Sequence, residues 1–299
     1  MKILLLGKNG QVGWELQRSL GILGEVVALD FDTPGPWRAD FSAPESLAPM
    51  IRAVAPDVIV NAAAHTAVDK AESEPELARL INATAPGIVA REAAARGAWL
   101  VHFSTDYVFD GSGSAPRTED AATGPLNVYG RTKLEGEELI RASACRHLIL
   151  RTSWVYAARG GNFAKTMLKL AAERDELKVI DDQFGAPTGA DLLADVTAHA
   201  LRQAMARPEL AGLYHCVAGG ETSWHGYASF VIEQARAAGQ PVKVGADALR
   251  AVPTSAFPTP ARRPLNSRLA TGRLASAFGL QLPPWQHGVA RLLAELLGR

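Results

Sequence analysis

Cysteine is scarce in this chain of 299 residues, and the two present, Cys145 and Cys216, lie far apart and outside any CxxC pair. Their number and spacing exclude a disulfide scaffold and a thiolate zinc site, and they fit a reducing compartment. The seven histidines form neither an HExxH motif nor a cluster with the cysteines. A zinc-dependent hydrolase is therefore not expected.

An excess of charge of one sign is also missing, because Lys+Arg and Asp+Glu both number 31. A balanced chain is not drawn to nucleic acid or to an anionic membrane. No apolar run approaches the length of a membrane span, and the run ILLL near the start is too short for a signal peptide. We expect a cytoplasmic protein that binds a small molecule, with neither nucleic acid nor membrane as a partner.

Short apolar runs alternate with helix-like stretches through the first 150 residues. Strands that are apolar throughout are buried on both faces, as in a parallel sheet covered by helices. This alternation predicts an α/β fold with a doubly wound parallel sheet of the Rossmann type. The strands are predicted at 2–6, 25–30, 57–60, 98–104 and 147–152, and the helices at 12–20, 44–55, 75–95 and 127–139.

The second half is less regular and predicts a smaller, C-terminal substrate-binding domain. Residues 177–201 are typical of one more strand, loop and helix, and the segment 177–205 could return to the large sheet. Residues 248–269 contain four prolines and four arginines and are predicted to be an extended loop. We place the NAD(P)-binding domain at 1–155 and the mainly substrate-binding domain at 156–299.

Three glycines, Gly7, Gly10 and Gly13, follow the first predicted strand and open the first predicted helix. A dinucleotide's pyrophosphate requires such a turn, because glycine lets the backbone approach closely and free N–H groups at a helix N-terminus bind phosphate. The spacing is GxxGxxG rather than GxGxxG, so the position at a strand–helix junction supports the prediction of an NAD(P) site.

The preference between NADH and NADPH stays open at this level. Asp30 ends the second strand, where a carboxylate can hold the adenosine ribose and repel a 2′-phosphate. The alternative is a solvated acid at a strand end. Lys8, inside the glycine loop, could instead contact a 2′-phosphate.

Tyr129 and Lys133, in NVYGRTKLEGEEL, are four residues apart, which places them on one face of a helix. Free tyrosine has a pKa of about 10 and is a poor acid at neutral pH. An ammonium about 4 Å away, at an effective dielectric near 20, would favour the phenolate by up to about 4 kcal/mol. We therefore expect Lys133 to lower the pKa of Tyr129, a general acid, and to bind a cofactor ribose.

A hydroxyl group is expected beside this pair. Ser104 and Thr105 stand at the carboxyl end of the fourth predicted strand, where ligands bind in such sheets. A hydroxyl there can hydrogen-bond a substrate carbonyl. The residues alone thus predict an NAD(P)-dependent reductase of a small carbonyl compound.

These motifs resemble those of the extended short-chain dehydrogenases/reductases, and longer strings narrow the resemblance to the dTDP-4-dehydrorhamnose reductases. The strings cover nearly the whole chain: GKNGQVGWEL, VNAAAHTAVDKAESEPE, STDYVFDG, LNVYGRTKLEGE, RTSWVY, DQFGAPTGADLLAD and PTPARRPLNSRL. The resemblance implies reduction of the C4 ketone of dTDP-4-dehydro-β-L-rhamnose by NADPH or NADH, in dTDP-L-rhamnose synthesis. It also implies a homodimer.

The resemblance assigns roles to residues by their position. It implies that Tyr129 is the proton donor, Lys133 its partner and Thr105 a hydrogen-bond donor to the substrate oxygen. The residues implied around the cofactor are Gly10, Gln11 and Val12 at the pyrophosphate, Asp30, Asp40 and Phe41 at the adenosine, and Ala64, His65 and Thr66 after the third strand. Those implied around the sugar nucleotide are Thr105, Asp106 and Trp154.

Two arginines are candidates for a diphosphate site, and two acids are candidates for a metal site. Arg262 and Arg263, in PARRP, either clamp a diphosphate or are solvated loop charges. The resemblance implies a Mg²⁺ ion at a dimer contact, with Glu15 as one ligand; by itself Glu15 could be a solvated residue of the first helix. The second acidic position, in PTGADL, is often Glu in the family and is the shorter Asp191 here.

Other functions on the same fold are open alternatives. Related 4,6-dehydratases carry an Asp-Glu pair after the threonine, whereas this chain has Asp106 and Tyr107, which counts against a dehydratase and less against a 4-epimerase. Related regulatory subunits of methionine adenosyltransferase need no working acid, yet Thr105, Tyr129 and Lys133 are all present.

Overall fold

A β-sheet of six parallel strands lies at the centre of the computed structural model, which describes residues 1–298. The strands along the chain are β1 (Lys2–Leu6), β2 (Glu25–Leu29), β3 (Val58–Asn61), β4 (Trp99–Thr105), β5 (Arg146–Thr152), β6 (Val155–Tyr156), β7 (Leu177–Ile180), β8 (Phe184–Gly185), β9 (Thr188–Gly189), β10 (Gly212–His215), β11 (Thr222–Ser223) and β12 (Leu249–Val252). The large sheet has the spatial order β10-β5-β4-β3-β1-β2.

Helices connect these strands and cover both faces of the large sheet. They are α1 (Gln11–Gly21), α2 (Leu47–Val54), α3 (Val68–Ser73), α4 (Pro75–Arg79), α5 (Ala85–Arg96), α6 (Val128–Ala142), α7 (Phe163–Glu173), α8 (Ala190–Ala206), α9 (Trp224–Ala237), α10 (Gly272–Phe278) and α11 (Trp285–Leu296). The predicted α/β fold with a doubly wound parallel sheet is confirmed. Over residues 1–298, none of the helices combines the length and apolar character that a membrane span requires.

Alternate side chains of each strand face two separate cores. Ile3 and Leu5 of β1 belong to the core that α1 and α8 cover, whereas Leu4 and Leu6 belong to the core under α2 and α5. All four side chains are fully buried. Full burial of such a side chain stabilises the fold by about 2 kcal/mol, so the sheet is a firm base for the loops at its ends.

The order of the strands reverses at β1. The chain adds β2 on one side of β1 and then crosses to the other side, where β3, β4 and β5 follow in turn. In such sheets, ligands bind beyond the carboxyl ends of the strands at the point of reversal. The loops that follow Leu6 and Asn61 therefore mark the expected site.

The segment 177–205 divides between two places. Its helix α8 packs on the large sheet beside α1, but its strand β7 pairs with β12 in a small separate sheet. The prediction that 177–205 returns to the sheet is thus wrong for the strand. Lys178 of β7 is exposed, so this strand is not buried on both faces. The sixth strand of the large sheet is instead β10. The strand β12 lies inside the segment 248–269, which was predicted to be an extended loop.

The helix predicted at 75–95 is interrupted by a π-turn at Leu80–Thr84. Pro86, at the start of α5, has no N–H to donate to the carbonyl of Asn82, which explains why the regular pattern stops there. The turn directs Asn82 toward its neighbours. Its side-chain amide accepts from the N–H of His65 at 2.9 Å and donates to the Thr132 hydroxyl at 3.2 Å, so the loop after β3 is tied to α6.

Residues after β5 form a smaller unit with an aromatic core. α7, α9 and α11 pack around Tyr227 and Trp285, which are buried. The rings of Tyr227 and Trp285 meet edge to face at 5.9 Å between centroids, an arrangement that aromatic pairs prefer. This unit faces the carboxyl ends of β4 and β5 through Trp154 and Trp224, which both line the cleft described next.

Candidate active site

A cleft of about 440 Å³ opens at the carboxyl ends of β1, β3 and β4. It brings together residues that the sequence predicted from five separate segments. The predicted residues that line it are Gly10, Gln11, Val12, Ala64, Thr66, Thr105, Asp106, Tyr129, Lys133 and Trp154. A volume of this size is typical of a small-molecule site.

A second cavity, of about 450 Å³, lies on the other side of Gly10. It shares Gly10, Ala62 and Ala64 with the cleft, so the two form one groove across the strand ends. The predicted adenosine residues Asp30, Asp40 and Phe41 line this second cavity. Two chambers joined at the N-terminus of α1 fit a dinucleotide, whose pyrophosphate would lie at the junction.

The glycine loop is shaped for close approach. Gly7 has a φ of +87°, which favours glycine, and a Cβ at Gly13 would overlap the carbonyl oxygen of Gly7. A Cβ at Gly10 would come no closer than 3.5 Å to protein atoms. Gly13 is therefore required by packing between helix and strand, whereas Gly10 leaves open space for a ligand. Gly10 also caps α1 without a side chain, which leaves the first N–H groups of the helix free.

Asp30 supports this loop. Its carboxylate accepts from the N–H of Asn9 at 3.0 Å and from that of Phe31 at 2.9 Å. Each oxygen therefore already has a backbone partner, while the side chain still borders the adenosine cavity. The geometry adds to the predicted ribose contact a role in holding the loop.

Tyr129 lies in the first turn of α6, which begins at the capping residue Asn127. The Asn127 side chain accepts from the N–H of Gly130 at 2.8 Å. Burial raises the pKa of Tyr129 to about 12, although a hydrogen bond with Thr105 acts in the opposite direction. The phenol therefore stays protonated at neutral pH.

The expectation that Lys133 lowers the pKa of Tyr129 is wrong. Lys133 is 2 % exposed, and its Nζ points to β4, where it donates to the carbonyl of Phe103 at 2.6 Å and lies 3.3 Å from His102 Nε2. Burial lowers the pKa of Lys133 to about 8. The sequence spacing placed the two side chains on one helix face, but the desolvation of the phenol outweighs the influence of the amine.

Thr105 and Asp106 form the floor of the cleft. The Thr105 hydroxyl donates to Asp106 Oδ1 at 3.1 Å and accepts from the N–H of Tyr107 at 3.2 Å. Asp106 is 2 % exposed, and burial raises its pKa to about 6. Its Oδ2 accepts no close hydrogen bond within residues 1–298, although the Ser267 hydroxyl is near enough to act against the rise in pKa, so this buried oxygen can still accept from a ligand.

Trp154 forms one wall of the cleft in an unusual conformation. Its φ of +49° lies in the left-handed region, which bulky residues rarely adopt and which clusters at functional sites. Its indole stacks on Trp224, with 3.7 Å between centroids and 15° between planes. A Cβ at Gly185 would collide with the same ring. The wall is therefore held from two sides.

Some predicted residues line neither the cleft nor the adenosine cavity, among them His65, Arg262 and Arg263. His65 packs behind the cleft, where its Nε2 lies 3.7 Å from a Glu74 oxygen. Arg262 and Arg263 border a neighbouring cavity of about 490 Å³. Arg263 already forms a two-point ion pair with Asp69, at 3.1 and 2.7 Å, whereas Arg262 is exposed. Of the two arginines, Arg262 is therefore the one that a diphosphate could approach.

The predicted metal ligands Glu15 and Asp191 line one cavity of about 200 Å³. Arginines face both acids: Arg18 lies 3.5 Å from Glu15, and Arg291 lies 3.7 Å from Asp191. In the part of the chain that the structure describes, no three His, Cys, Asp or Glu side chains are grouped so that they could hold a metal ion. One chain therefore does not fit a Mg²⁺ site, and no step of the chemistry is assigned to a metal.

A buried polar network behind the cleft was missed by the sequence reasoning. Glu137, one turn after Lys133 on α6, accepts from Ser104 at 2.5 Å and pairs with Arg151 of β5 at 2.6 Å. Glu137 and Arg151 are 0 % and 3 % exposed at their side chains. The spacing of Tyr129, Lys133 and Glu137 by four residues was a usable signal, because such residues share one helix face.

The family model described as "RmlD substrate binding domain" matches residues 1–297. Curated relatives are similar over almost their entire length. The dTDP-4-dehydrorhamnose reductase of Shigella flexneri is 60% identical over 296 residues, which cover 99% of this chain and 98% of the relative. That of Burkholderia thailandensis is 47% identical and covers 100% of both chains.

Solved structures of dTDP-4-dehydrorhamnose reductases have the same fold as this chain. A dTDP-4-dehydrorhamnose reductase from Clostridium acetobutylicum superposes with a TM-score of 0.89 at 36% identity and covers 100% of both chains. That from Bacillus anthracis, solved in complex with NADP, has a TM-score of 0.86 at 32% identity and covers 98% of this chain and 99% of its own. The chain therefore belongs to the dTDP-4-dehydrorhamnose reductase family.

Proposed function

We propose that this protein reduces the C4 ketone of dTDP-4-dehydro-β-L-rhamnose to dTDP-L-rhamnose with a hydride from NADPH or NADH. The observation that carries this proposal is the single cleft in which Thr105, Tyr129 and Lys133 lie beside the N-terminus of α1. Curated relatives that are up to 60% identical bear the name of this activity, and a related structure holds NADP.

In this proposal the cofactor lies along the joined groove and supplies the hydride from its nicotinamide ring. The N–H groups of Gln11 and Val12 hold the pyrophosphate, and Asp40 and Phe41 hold the adenosine. Asp30 fixes the loop between them through the N–H of Asn9. Ala64 and Thr66 border the junction and the cleft.

Tyr129 is the proton donor. As the hydride reaches the C4 carbon, negative charge develops on the carbonyl oxygen, and the phenol transfers its proton there. The raised pKa of Tyr129 keeps the proton in place until that charge appears. In the complex the Thr105 hydroxyl turns from Asp106 Oδ1 to donate to the same oxygen and stabilises the developing charge.

The substrate lies between the floor and the Trp154 wall of the cleft. Asp106 Oδ2 is a buried acceptor that can take a hydroxyl of the sugar, and the Trp154 indole offers an apolar face to the ring. Arg262 is the candidate for the diphosphate. We propose that residues 1–155 with α8 and β10 bind the cofactor, and that the rest of 156–299 mainly binds the sugar nucleotide.

We further propose that the enzyme is a cytosolic homodimer. The resemblance to the family supports this assembly, and both cysteines are unpaired and buried, as expected in a reducing compartment. Glu15 and Asp191, each faced by an arginine, would need acids from a second copy to bind Mg²⁺. Sedimentation with and without Mg²⁺ tests both statements.

The test follows nicotinamide absorbance when the purified chain meets dTDP-4-dehydro-β-L-rhamnose with NADPH and then with NADH. We expect one reduced cofactor consumed per dTDP-rhamnose formed. Tyr129→Phe should reduce kcat at least about a hundredfold with little change in cofactor affinity, because the phenol acts mainly in the transition state. Cofactor binding without consumption would contradict the reductase and favour an epimerase or a regulatory subunit.

A further inference from the structure

Asn61 and His102 lie side by side behind the cleft. They are register partners, Asn61 at the end of β3 and His102 in the middle of β4, and both are buried, at 1 % and 0 % exposure. Asn61 Nδ2 is 3.0 Å from His102 Nδ1, and His102 Nε2 is 3.3 Å from Lys133 Nζ. A chain of three polar side chains therefore ends at Lys133.

The backbone determines where the proton of this imidazole lies. The N–H of Ala63 is a donor and lies 3.0 Å from the Asn61 side chain, so the oxygen of Asn61 must face it. The NH₂ of Asn61 therefore faces His102 and donates to Nδ1. Burial holds the pKa of His102 well below its usual value, so the ring is neutral and carries one proton. That proton lies on Nε2, which faces Lys133.

An ammonium and an N–H group cannot hydrogen-bond each other, because both are donors. An uncharged amine can donate to the carbonyl of Phe103 at 2.6 Å and accept from His102 Nε2 with its lone pair. We propose that His102 is a positioning residue that stabilises the uncharged form of Lys133 against β4 and thereby sets the pH above which Lys133 stops binding the cofactor.

The other charges around Lys133 do not cancel this effect. Glu137, on the same helix, favours the ammonium, but its carboxylate is already engaged by Arg151 and Ser104. Tyr129 is protonated at neutral pH. His147 acts only on His102, whose pKa it lowers further. His102 is thus the neighbour that distinguishes the amine from the ammonium through a hydrogen bond.

This inference rests on the proposed function, in which the Lys133 ammonium donates to hydroxyls of the cofactor ribose. Since the pKa of Lys133 is lowered to about 8, NADPH affinity should fall as the pH rises past that value. Loss of the Nε2–H donor removes a stabilising contact of the uncharged form. The pKa of Lys133 therefore rises when this donor is lost, and the ammonium keeps its contact with the cofactor to higher pH.

The experiment measures the NADPH affinity of the full chain from about pH 6.5 to about 10 by the fluorescence of the bound cofactor. His102→Asn keeps an acceptor for Asn61 but cannot reach Lys133, and should raise the midpoint of the affinity loss by about one pH unit. His102→Gln places an amide N–H near the position of Nε2 and should restore the original midpoint.

A second route moves the same proton without changing His102. Asn61→Leu removes the donor at Nδ1 without adding a charge, so the imidazole proton can move to Nδ1 and Nε2 becomes an acceptor for the ammonium. The midpoint should rise here as well, which keeps the test available if His102→Asn does not fold. An unchanged or lowered midpoint in the folded variants overturns the inference.

Lys133→Ala separates this inference from the proposed function. It should weaken NADPH binding and remove the affinity loss above about pH 8. If the loss persists in Lys133→Ala, another group titrates, and the proposed role of Lys133 is itself wrong. If Lys133→Ala removes it while the His102 and Asn61 variants leave the midpoint in place, the role of Lys133 stands and that of His102 is wrong.

Discussion

Gly10 and Gly13 stand three residues apart in one loop, yet the structure gives each a different reason to lack a side chain. Gly13 faces the carbonyl of Gly7, within the protein, and Gly10 faces the groove. Gly13 thus lacks a side chain because α1 packs closely on the strand, and Gly10 lacks one because a ligand needs the space. Substitution by alanine can separate the two roles.

Gly13→Ala should lower the free energy of unfolding by about 2 kcal/mol and also impair NADPH binding, because the added methyl group must displace backbone atoms. Gly10→Ala should leave the free energy of unfolding within about 0.5 kcal/mol of the original, since its methyl group meets only ordinary contacts. It should still weaken NADPH at least about tenfold by filling the pyrophosphate space.

Urea denaturation and cofactor titration of the two variants provide the measurements. Equal losses of stability in both variants would contradict the distinction. Unchanged NADPH affinity in Gly10→Ala would mean that the pyrophosphate does not pass over this residue.

At the level of elements, α6 is the part of the fold that determines the site. It carries Tyr129, Lys133 and Glu137 on one face, and Glu137 joins it to β4 and β5 through Ser104 and Arg151. The ion pair between Glu137 and Arg151 is buried, so α6 cannot shift without breaking a desolvated ion pair. The positions of the proposed catalytic residues Tyr129 and Lys133 therefore depend on this ion pair.

Glu137→Gln should lower the free energy of unfolding by about 3 kcal/mol, because it leaves the charge of Arg151 buried without a counterion. Glu135→Gln is a matched control on the same helix. Glu135 pairs with Arg79 at the surface, where the two side chains are 32% and 62% exposed, and its loss should cost at most about 1 kcal/mol. Urea denaturation compares the two, and similar losses would show that the buried pair does not anchor α6.

For the molecule as a whole, buried histidines tie stability to pH. His215 of β10 is fully buried against Phe109, and burial, with Arg151 and Arg273 nearby, lowers its pKa to about 3. In the unfolded chain its pKa is about 6.5, so the unfolded state binds more protons between these two values. The stability due to neutral His215 is complete above about pH 6.5 and is lost as the pH falls toward 3.

His215→Leu tests this linkage. Between pH 7 and pH 5 the original chain should lose about 2 kcal/mol more unfolding free energy than the variant, because only the original gains a proton on this ring when it unfolds. Asp106, whose pKa is raised to about 6, acts in the opposite direction but is present in both proteins. Parallel stability curves, measured by urea denaturation at each pH, would contradict the assignment.

Local pattern was sufficient to predict the parallel sheet, because the runs ILLL of β1, VIV of β3 and WLV of β4 are apolar and buried on both faces. It was insufficient for β10, whose sequence GLYH is short and mixed, and for β7, which has the composition of a strand but pairs with β12. Strand partners that are distant in sequence leave no periodic signal. For the same reason, local sequence patterns do not predict which strands pair with each other, such as β10 with β5.

The residues of the site could be predicted by type and spacing, but their hydrogen bonds could not. Spacing placed Tyr129 and Lys133 together, yet the orientation of Lys133 depends on the carbonyl of Phe103 and on His102, which lie 30 and 31 residues earlier. The tautomer of His102 depends in turn on Asn61, on another strand. Such contacts arise only when the sheet has formed.

The stacked indoles of Trp154 and Trp224 also give the cleft an optical property. Two indoles whose centroids lie 3.7 Å apart couple their electronic transitions, so we expect the pair to contribute a circular-dichroism signal of its own. A sugar that packs on Trp154 perturbs this coupling whether or not any hydride moves. Occupancy of the proposed sugar subsite can therefore be followed without a label, in a signal that is separate from the absorbance of the nicotinamide.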